Sequence, residues 1–583
     1  MPPGHRVTAS WDAVHPRADR TPPGVHPGLR ILGRMSDSAQ NASVPSSSTS
    51  RRAVLGLGAA SAAGLLLPPT ATAAPSTRPR HLTGGLVAAR LGLPSGIASG
   101  DVGPNSAVLW SRASGTGRLH ATLRALDDAG EVLRGRFAKG VRLRSGWVDA
   151  RTDHTAKILA DRLPSNTRFE VTYAFEDEHG RLGEQAVGHF RTAPGHRFGP
   201  KTSAAQSFVW TADTAGQGYG INPDIGGMRG YAAMAALNPD FFLHSGDTVY
   251  ADNPIQETVD VPGEPVWRNL VTEEVSKVAE TLDEFRGRHR YNMMDANLRA
   301  MYAEVPVIAQ WDDHETTNNW YPGEVLQDDR YTVRDVDTLA RRGRRAWQEY
   351  MPIADATALR RGSGFEPTRI HRRVSRGPSL DVFALDMRTF KGENTPGLEP
   401  HETPLLGEEQ LQWLIHGLRT SRATWKVIGN DLPLGLVVPD DKAQESLSNG
   451  DDGAPLGREL ELARLLKAIK DHDVRNVVFL TGDVHYCAAH HYSPDRAAFT
   501  DFEPFWEFVA GPINAGSFGP NELDGTFGPR VDFSEAGPAM GSPRSGEHQY
   551  FGHVEIPEDG REFRVSLVNV NGRTVYRRTL HAR

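Results

Sequence analysis

Cysteine is almost absent. Cys487 is the only one in 583 residues, so no intramolecular disulfide can brace the fold. Standing alone, it reads as a small buried apolar side chain and not as a redox centre. Long apolar runs are scarce too. The run that follows Arg52 ends at Leu67, short of the roughly 20 residues a membrane-crossing helix needs, so no transmembrane segment is expected in the mature chain. Basic charge is also in deficit, at 65 Lys/Arg against 72 Asp/Glu. Residues 1–73 hold seven of the former and three of the latter, and the remainder carries a formal charge of −11. That balance argues against a nucleic-acid or polybasic membrane surface. What the chain does have is 59 Gly and 40 Pro, with 38% hydrophobic residues, as in a loop-rich globular protein of two to four domains.

Near the start, Ser50-Arg51-Arg52-Ala53-Val54-Leu55 precedes the apolar run, followed by Pro68-Pro69 and Ala71-Thr72-Ala73. This reads as a twin-arginine signal over 1–73, with Met35 an alternative start and small residues at the cleavage site. It predicts a monomer exported by the twin-arginine machinery, in folded form, to the exterior or the cell wall. A polar linker spans 74–91. From 92 to 195, short alternating runs such as Ser106–Trp110 and Arg168–Phe175, closed by Phe190-Arg191-Thr192-Ala193-Pro194, predict a small all-β sandwich of the fibronectin III or immunoglobulin kind.

From 205 to 583 the pattern changes to apolar runs alternating with amphipathic stretches. The runs are Phe208–Trp210, Phe241–Leu243, Val305–Ala309, Val382–Leu385, Val427-Ile428, Val477–Leu480 and Phe508-Val509. Segments 281–303, 334–349, 407–419 and 457–470 read as helices, which makes this a layered α/β domain. The Arg286–Arg290 cluster is expected on a solvated helix face, His490 and His491 at the surface, and His244 in the core.

The chemistry lies where the runs end: Asp213; Gly246-Asp247-Thr248-Val249-Tyr250; Asp312-Asp313-His314-Glu315; Asp386-Met387-Arg388; Gly429-Asn430-Asp431; Gly482-Asp483-Val484-His485. One Asp after a strand is usually a turn residue or a helix cap. Six such exits can converge beyond the strand ends, each anchored by its apolar run. Arg388 can offer its fork to a phosphate oxygen or pair with a structural carboxylate.

Taken together, Asp213–Gly220, Phe241–Asp252, Trp311–Trp320 and Leu480–His485, with Gly96–Trp110 before them, resemble the alkaline phosphatase D branch of the calcineurin-like metallophosphoesterases. That branch includes secreted phospholipase D enzymes of actinobacteria. The resemblance implies a four-layer αββα sandwich behind the small β domain. It places Asp213 and Asp247 at the first metal with His485, Asp247 bridging two metals, and Tyr250 in the position of the phenolate that purple acid phosphatases offer to ferric iron. It places Asp313, Asn430 and Asp483 at the second metal, an all-oxygen set suited to Ca²⁺, Mn²⁺ or Mg²⁺. The cysteine that some members supply to iron near the first motif is missing, where this chain has Thr211-Ala212-Asp213.

The implied activity is hydrolysis of phosphoesters by a metal-activated hydroxide, with His314 as general acid toward the leaving group or as a partner that orients a metal ligand. The substrate is a small phosphomonoester or diester. A phospholipase D-like diesterase acting on lipid headgroups or teichoic-acid-like polymers stands beside it, because that choice is expected to rest with loops 253–275 and 515–550. A non-catalytic phosphate- or glycan-binding module would not need the full ligand set present here.

Overall fold

Alternation within each apolar run fixes which way its strand faces. Phe208 and Trp210 enter the apolar layer shared with the second sheet, whereas Val209 between them meets helices on the other side. Phe241 and Leu243 flank Phe242 in the same way. Strands covered on both faces need no polar positions, which is why these segments read as unbroken apolar runs.

The computed structural model describes residues 90–195, 204–353 and 369–583. The twin-arginine segment and the linker as far as residue 89 lie outside them. Nine strands form one mixed sheet, in the spatial order Thr574–His581, Glu562–Asn569, Tyr550–Ile556, Gln206–Thr211, Phe241–Ser245, Val307–Gln310, Ile97–Gly100, Ala107–Arg112 and Thr155–Ala160. Seven form the other, in the order Arg372–Ser375, Leu380–Ala384, Trp425–Gly429, Val477–Thr481, Phe505–Val509, Cys487–Tyr492 and Pro529–Glu535. Val382, Val427, Val478 and Leu480 meet Phe208, Trp210, Leu243 and Ile308 between the sheets. Helices Leu282–Asn292, Ala296–Glu304 and Val336–Tyr350 cover the first sheet, and Gly407–Thr420 and Glu459–Asp471 the second. The four layers αββα follow, and each large apolar side chain so enclosed contributes about 1.5–3 kcal/mol.

The segment expected as one helix over 281–303 is two. Asp295 accepts from the backbone N–H groups of Asn297 and Leu298 and so starts a second helix. The basic cluster at its centre is not solvated. Arg286, Arg288 and His289 are buried, and Arg286 Nε lies 2.6 Å from Glu349 Oε2. Cys487 is buried and free, as expected.

The β-sandwich joins this core through its backbone. Its four-stranded sheet, Val141–Val148, Gly117–Leu126, Arg168–Glu176 and Leu182–Arg191, faces three strands that belong to the nine-stranded sheet. Gly100 pairs in parallel with Val307, and a Cβ on Gly100 would stand 2.6 Å from the Val307 carbonyl oxygen, so glycine permits the junction. Trp110 Nε1 donates to the Glu349 carbonyl at 2.8 Å. The described residues accordingly pack as one unit.

Candidate metal centre

Strands Gln206–Thr211, Phe241–Ser245 and Val307–Gln310 run parallel, as do Leu380–Ala384, Trp425–Gly429 and Val477–Thr481. Every exit residue singled out above follows the C-terminal end of one of them. Asp213, Asp247, Asp483 and His485 all take left-handed backbone, with φ of 68°, 51°, 68° and 60°. Such conformations are costly for a residue with a side chain and persist where the surroundings impose them, which is common at functional sites. Gly246 has φ of 101°, and a Cβ there would come within 2.5 Å of the Asp312 Cβ, so glycine lets two exits close on each other.

Asp213, Asp247 and His485 bring ligand atoms within 4.8 Å of one another. Asp213 Oδ1 lies 3.6 Å from His485 Nε2, and the Tyr250 hydroxyl 2.9 Å from the same nitrogen. His485 Nδ1 sits 2.5 Å from the Gly516 carbonyl oxygen, and burial lowers the ring pKa to about 4. The ring is therefore neutral, with Nδ1–H donated to the carbonyl and the Nε2 lone pair turned to the site.

A second group, Asp312, Asp313 and Asp483, meets the same distance criterion, as does Asp247 with Asp313 and His314. Asp247 thus belongs to both sides of the site. Asn430, whose backbone N–H donates to the Leu480 carbonyl at 3.0 Å, is buried with its Oδ1 unpartnered among the described residues. Arg388 is fully buried; Nε lies 2.5 Å from Asp312 Oδ1, Nη1 pairs with Glu445, and Nη2 stands 3.8 Å from Asp313 Oδ1 and 4.0 Å from Asp483 Oδ1.

The donors suit cations. Both carboxylate oxygens of Asp213 and Oδ1 of Asp313 are buried with no hydrogen-bond partner among the described residues. Burial pushes Asp213 well above the usual carboxylate range, helped by the charge of Asp312; burial does the same to Asp247, helped by Asp313, and to Asp483, helped by Glu445. Burial together with Asp247 likewise raises Tyr250. Carboxylates gathered in this way cost several kcal/mol each unless a counter-charge is present, and Arg388 faces only one side of the cluster.

His314 is held from three directions. Its Nδ1 lies 2.7 Å from Asp252 Oδ1, its ring stacks on Tyr250 at 4.1 Å between centroids, and its backbone N–H donates to Asp247 Oδ1 at 3.2 Å. Nε2 is left facing the site, 3.9 Å from Asp313 Oδ2. Burial opposes a charge on this ring, but Asp252 and then Asp313 outweigh it and raise the pKa to about 10.

Four residues of this framework have no role assigned by the sequence, although Asp312 and Glu315 stand at a strand exit. Asp252 is only two positions beyond Tyr250, but nothing in a loop aspartate announces a histidine partner. Asp312 was read as a strand exit and not as a donor. Glu315 accepts from the backbone N–H groups of Thr248 and Asp312 at 2.6 and 2.8 Å, tying two exits together. Glu445 reaches Arg388 from the foot of a hairpin, Pro439–Asp440 paired with Ala443–Gln444. That hairpin is also latched by Asn319, whose Nδ2 donates to Asp440 Oδ1 at 3.1 Å while its backbone N–H donates to Asp313 Oδ2 at 2.6 Å. Asn318 donates its backbone N–H to Asp252 Oδ2 at 3.0 Å. His244 is a core residue beside Thr214. His490 is buried, not at the surface, with Nδ1 3.1 Å from Glu507 Oε2. Loops 253–275 and 515–550 meet where Arg544 Nη2 donates to the Val266 carbonyl at 2.9 Å.

Two packed mixed sheets between helices, with acidic and histidine ligands collected at the strand exits, define a phosphoric ester hydrolase of the metallophosphoesterase fold. The chain belongs to the PhoD-like phosphatase family, which matches residues 208–567, and the N-terminal domain of that family matches 82–194. It is 29% identical over 444 residues to alkaline phosphatase D of Bacillus subtilis strain 168, over 73% of this chain and 70% of that protein. The fold is similar to the solved structure of PhoD, with a TM-score of 0.58 at 20% identity over 83% of this chain and 92% of that one. It is also similar to a purple acid phosphatase from yellow lupin (Lupinus luteus) seeds, with a TM-score of 0.50 at 11% identity over 83% and 74% of the two chains. No helix among the described residues is long and apolar enough to cross a membrane.

Proposed function

We propose that this hydrolase is exported by the twin-arginine route and uses two metals, Fe³⁺ among Asp213, Asp247, Tyr250 and His485, and Ca²⁺, Mn²⁺ or Mg²⁺ among Asp247, Asp313, Asn430 and Asp483. The observation that carries the metal reading is the set of buried carboxylate oxygens, both of Asp213 and Oδ1 of Asp313, that have no hydrogen-bond partner among the described residues. When bound, such metals supply an acidified water for in-line attack and positive charge over the phosphoryl oxygens. A phenol and an imidazole among carboxylates favour a trivalent ion on one side, and hard oxygen donors a divalent one on the other.

The chain itself handles the proton. His314 carries it on Nε2, held there by Asp252 through Nδ1, and delivers it to the departing alkoxide. Tyr250 keeps the imidazole ring in place by stacking. Arg388 approaches Asp312 Oδ1 with both Nε and Nη2, and Nη2 also lies 3.8 Å from Asp313 and 4.0 Å from Asp483, so its part is to hold the carboxylates together, with an oxyanion as a further partner for Nη2. The export reading rests on Ser50–Leu55 and the apolar run behind it.

Replacing Asp247 with Asn tests the bridging position. The expected result is a folded protein with the wild-type melting temperature in chelator, reduced metal content and no measurable turnover; full activity in D247N would refute the shared ligand. A panel of aryl monoesters, aryl diesters and phosphatidylcholine then assigns the substrate class.

A further inference from the structure

The negative charge of this chain is not evenly spread. Between Val132 and Val148 there is no acidic residue, and Arg134, Arg136, Lys139, Arg142 and Arg144 all stand exposed, with no ion pair among the described residues. Strand Val141–Val148 is the edge of the four-stranded sheet. Its register places Arg142 opposite Thr122, Arg144 opposite His120 and Trp147 opposite Arg118. The intervening Leu119, Ala121 and Leu123 are buried, so Arg142, Arg144 and Trp147 lie on the outer face. Val132 bridges to Leu126, and Leu133 donates its N–H to the Ala125 carbonyl at 2.8 Å, so the basic residues and their apolar neighbours follow one strand along its length.

Three apolar side chains are exposed on this same edge: Val132 at 46%, Leu133 at 39% and Trp147 at 50%. The Arg118 guanidinium lies over the Trp147 ring, 5.3 Å from its centroid. Cations beside aliphatic side chains and an indole are the combination that partitions into a lipid headgroup layer: the cations meet anionic headgroups, and the indole and aliphatic groups enter the boundary below them.

We propose that the edge from Val132 to Trp147 docks the enzyme on an anionic phospholipid surface. Charge complementarity names the partner: in a chain of net −11 outside its first 73 residues, this edge leaves five cations without an ion pair among the described residues, while Glu170 and Glu176 on strand Arg168–Glu176 are taken up by Arg124 and by Arg118 and His120. The whole-chain balance, which argued against a polybasic membrane surface, averages over this segregation. A single-stranded nucleic acid calls for successive stacking rings, and this edge exposes one. A soluble polyanion would leave Val132 and Leu133 in water; a bilayer covers them.

The test is co-sedimentation of the full chain with vesicles of phosphatidylglycerol and phosphatidylcholine in equal parts, against vesicles of phosphatidylcholine alone. Binding is expected only where phosphatidylglycerol is present, and it weakens as salt rises. The double variant Arg142→Gln/Arg144→Gln is expected to lower the partition coefficient about thirtyfold, two cations at roughly 1 kcal/mol each. It should hydrolyse a soluble aryl phosphate as the wild type does, which shows that it is folded. Trp147→Ala is expected to weaken vesicle binding and leave retention on immobilised inorganic polyphosphate unchanged. Absence of phosphatidylglycerol-dependent sedimentation overturns the proposal, as does undiminished binding by the double variant. Vesicle binding unaltered by Trp147→Ala and Leu133→Ser would reassign the edge to soluble polyanions and overturn the lipid assignment.

Discussion

The Tyr250 hydroxyl stands 2.9 Å from His485 Nε2, the nitrogen freed by the bond of Nδ1 to Gly516. This phenol and imidazole lie beside Asp213, in the half of the site proposed to hold Fe³⁺. A phenolate on ferric iron absorbs in the visible range, so the protein as purified is expected to be violet and Tyr250→Phe colourless. Absorption spectra with elemental analysis of both proteins check this. An active, iron-free wild type removes the ferric assignment and leaves the divalent side standing.

The bond from His314 Nδ1 to Asp252 gives the proposed proton donor its own signature. His314→Ala is expected to reduce kcat by about 10²–10⁴ for alkyl phosphates, whose leaving groups need the proton. The loss should be far smaller for nitrophenyl phosphates, whose leaving groups do not. Asp252→Asn should reproduce the pattern in weaker form. Equal losses on both substrate types would mean that His314 serves a metal ligand instead.

Arg388 separates two roles by two readouts. As a buried counter-charge to Asp312 and Glu445, its replacement by Gln leaves carboxylates unpaired and should cost about 3–5 kcal/mol of stability. Thermal melts in chelator report that loss, with KM for aryl phosphate nearly unchanged. A phosphate clamp gives the reverse: a raised KM and an unmoved melting temperature.

Lys157 sets a pH dependence far from the metals. It lies on strand Thr155–Ala160, where its Nζ donates to the Ile353 carbonyl at 2.8 Å and to the Gln348 carbonyl at the end of helix Val336–Tyr350. Burial lowers its pKa from 10.5 to about 7. Between those values the unfolded chain holds a proton that the folded one does not, so this residue makes stability rise with pH from about 7 to about 10.5. Lys157→Met should flatten the alkaline arm of melting temperature against pH, and an identical profile in the variant excludes this role.

Much of the candidate site was legible because each candidate ligand follows a strand buried on both faces. Phe241–Leu243 before Asp247, or Val477–Leu480 before Asp483, states in one dimension that a polar group emerges where a strand leaves the core. The groups that hold the ligands carry no such label. Glu445 gains meaning only when Arg388 arrives from another strand, and Asp252 only when His314 turns toward it. The basic segment at Arg286–Arg290 looked solvated because its partners Glu349 and Asp153 lie far away in sequence. The strands from Tyr550 onward show a weaker pattern, since their alternation includes charges such as Glu555 and Arg564, which face water on the outer side of the nine-stranded sheet while Val554, Phe563 and Val565 point between the sheets.

The pairing of Gly100 with Val307 bears on how the protein is made. One edge of the large sheet is built from Thr155–Ala160 and the other from Thr574–His581, so the sheet is complete only once strands far apart in sequence have all been made. Contacts so distant in sequence form slowly, and a fragment lacking the first strands would bare Val307–Gln310 as a sticky edge. Assembly therefore belongs to the finished polypeptide. A truncation that removes Thr574–His581 would likewise leave Glu562–Asn569 as an unpaired edge.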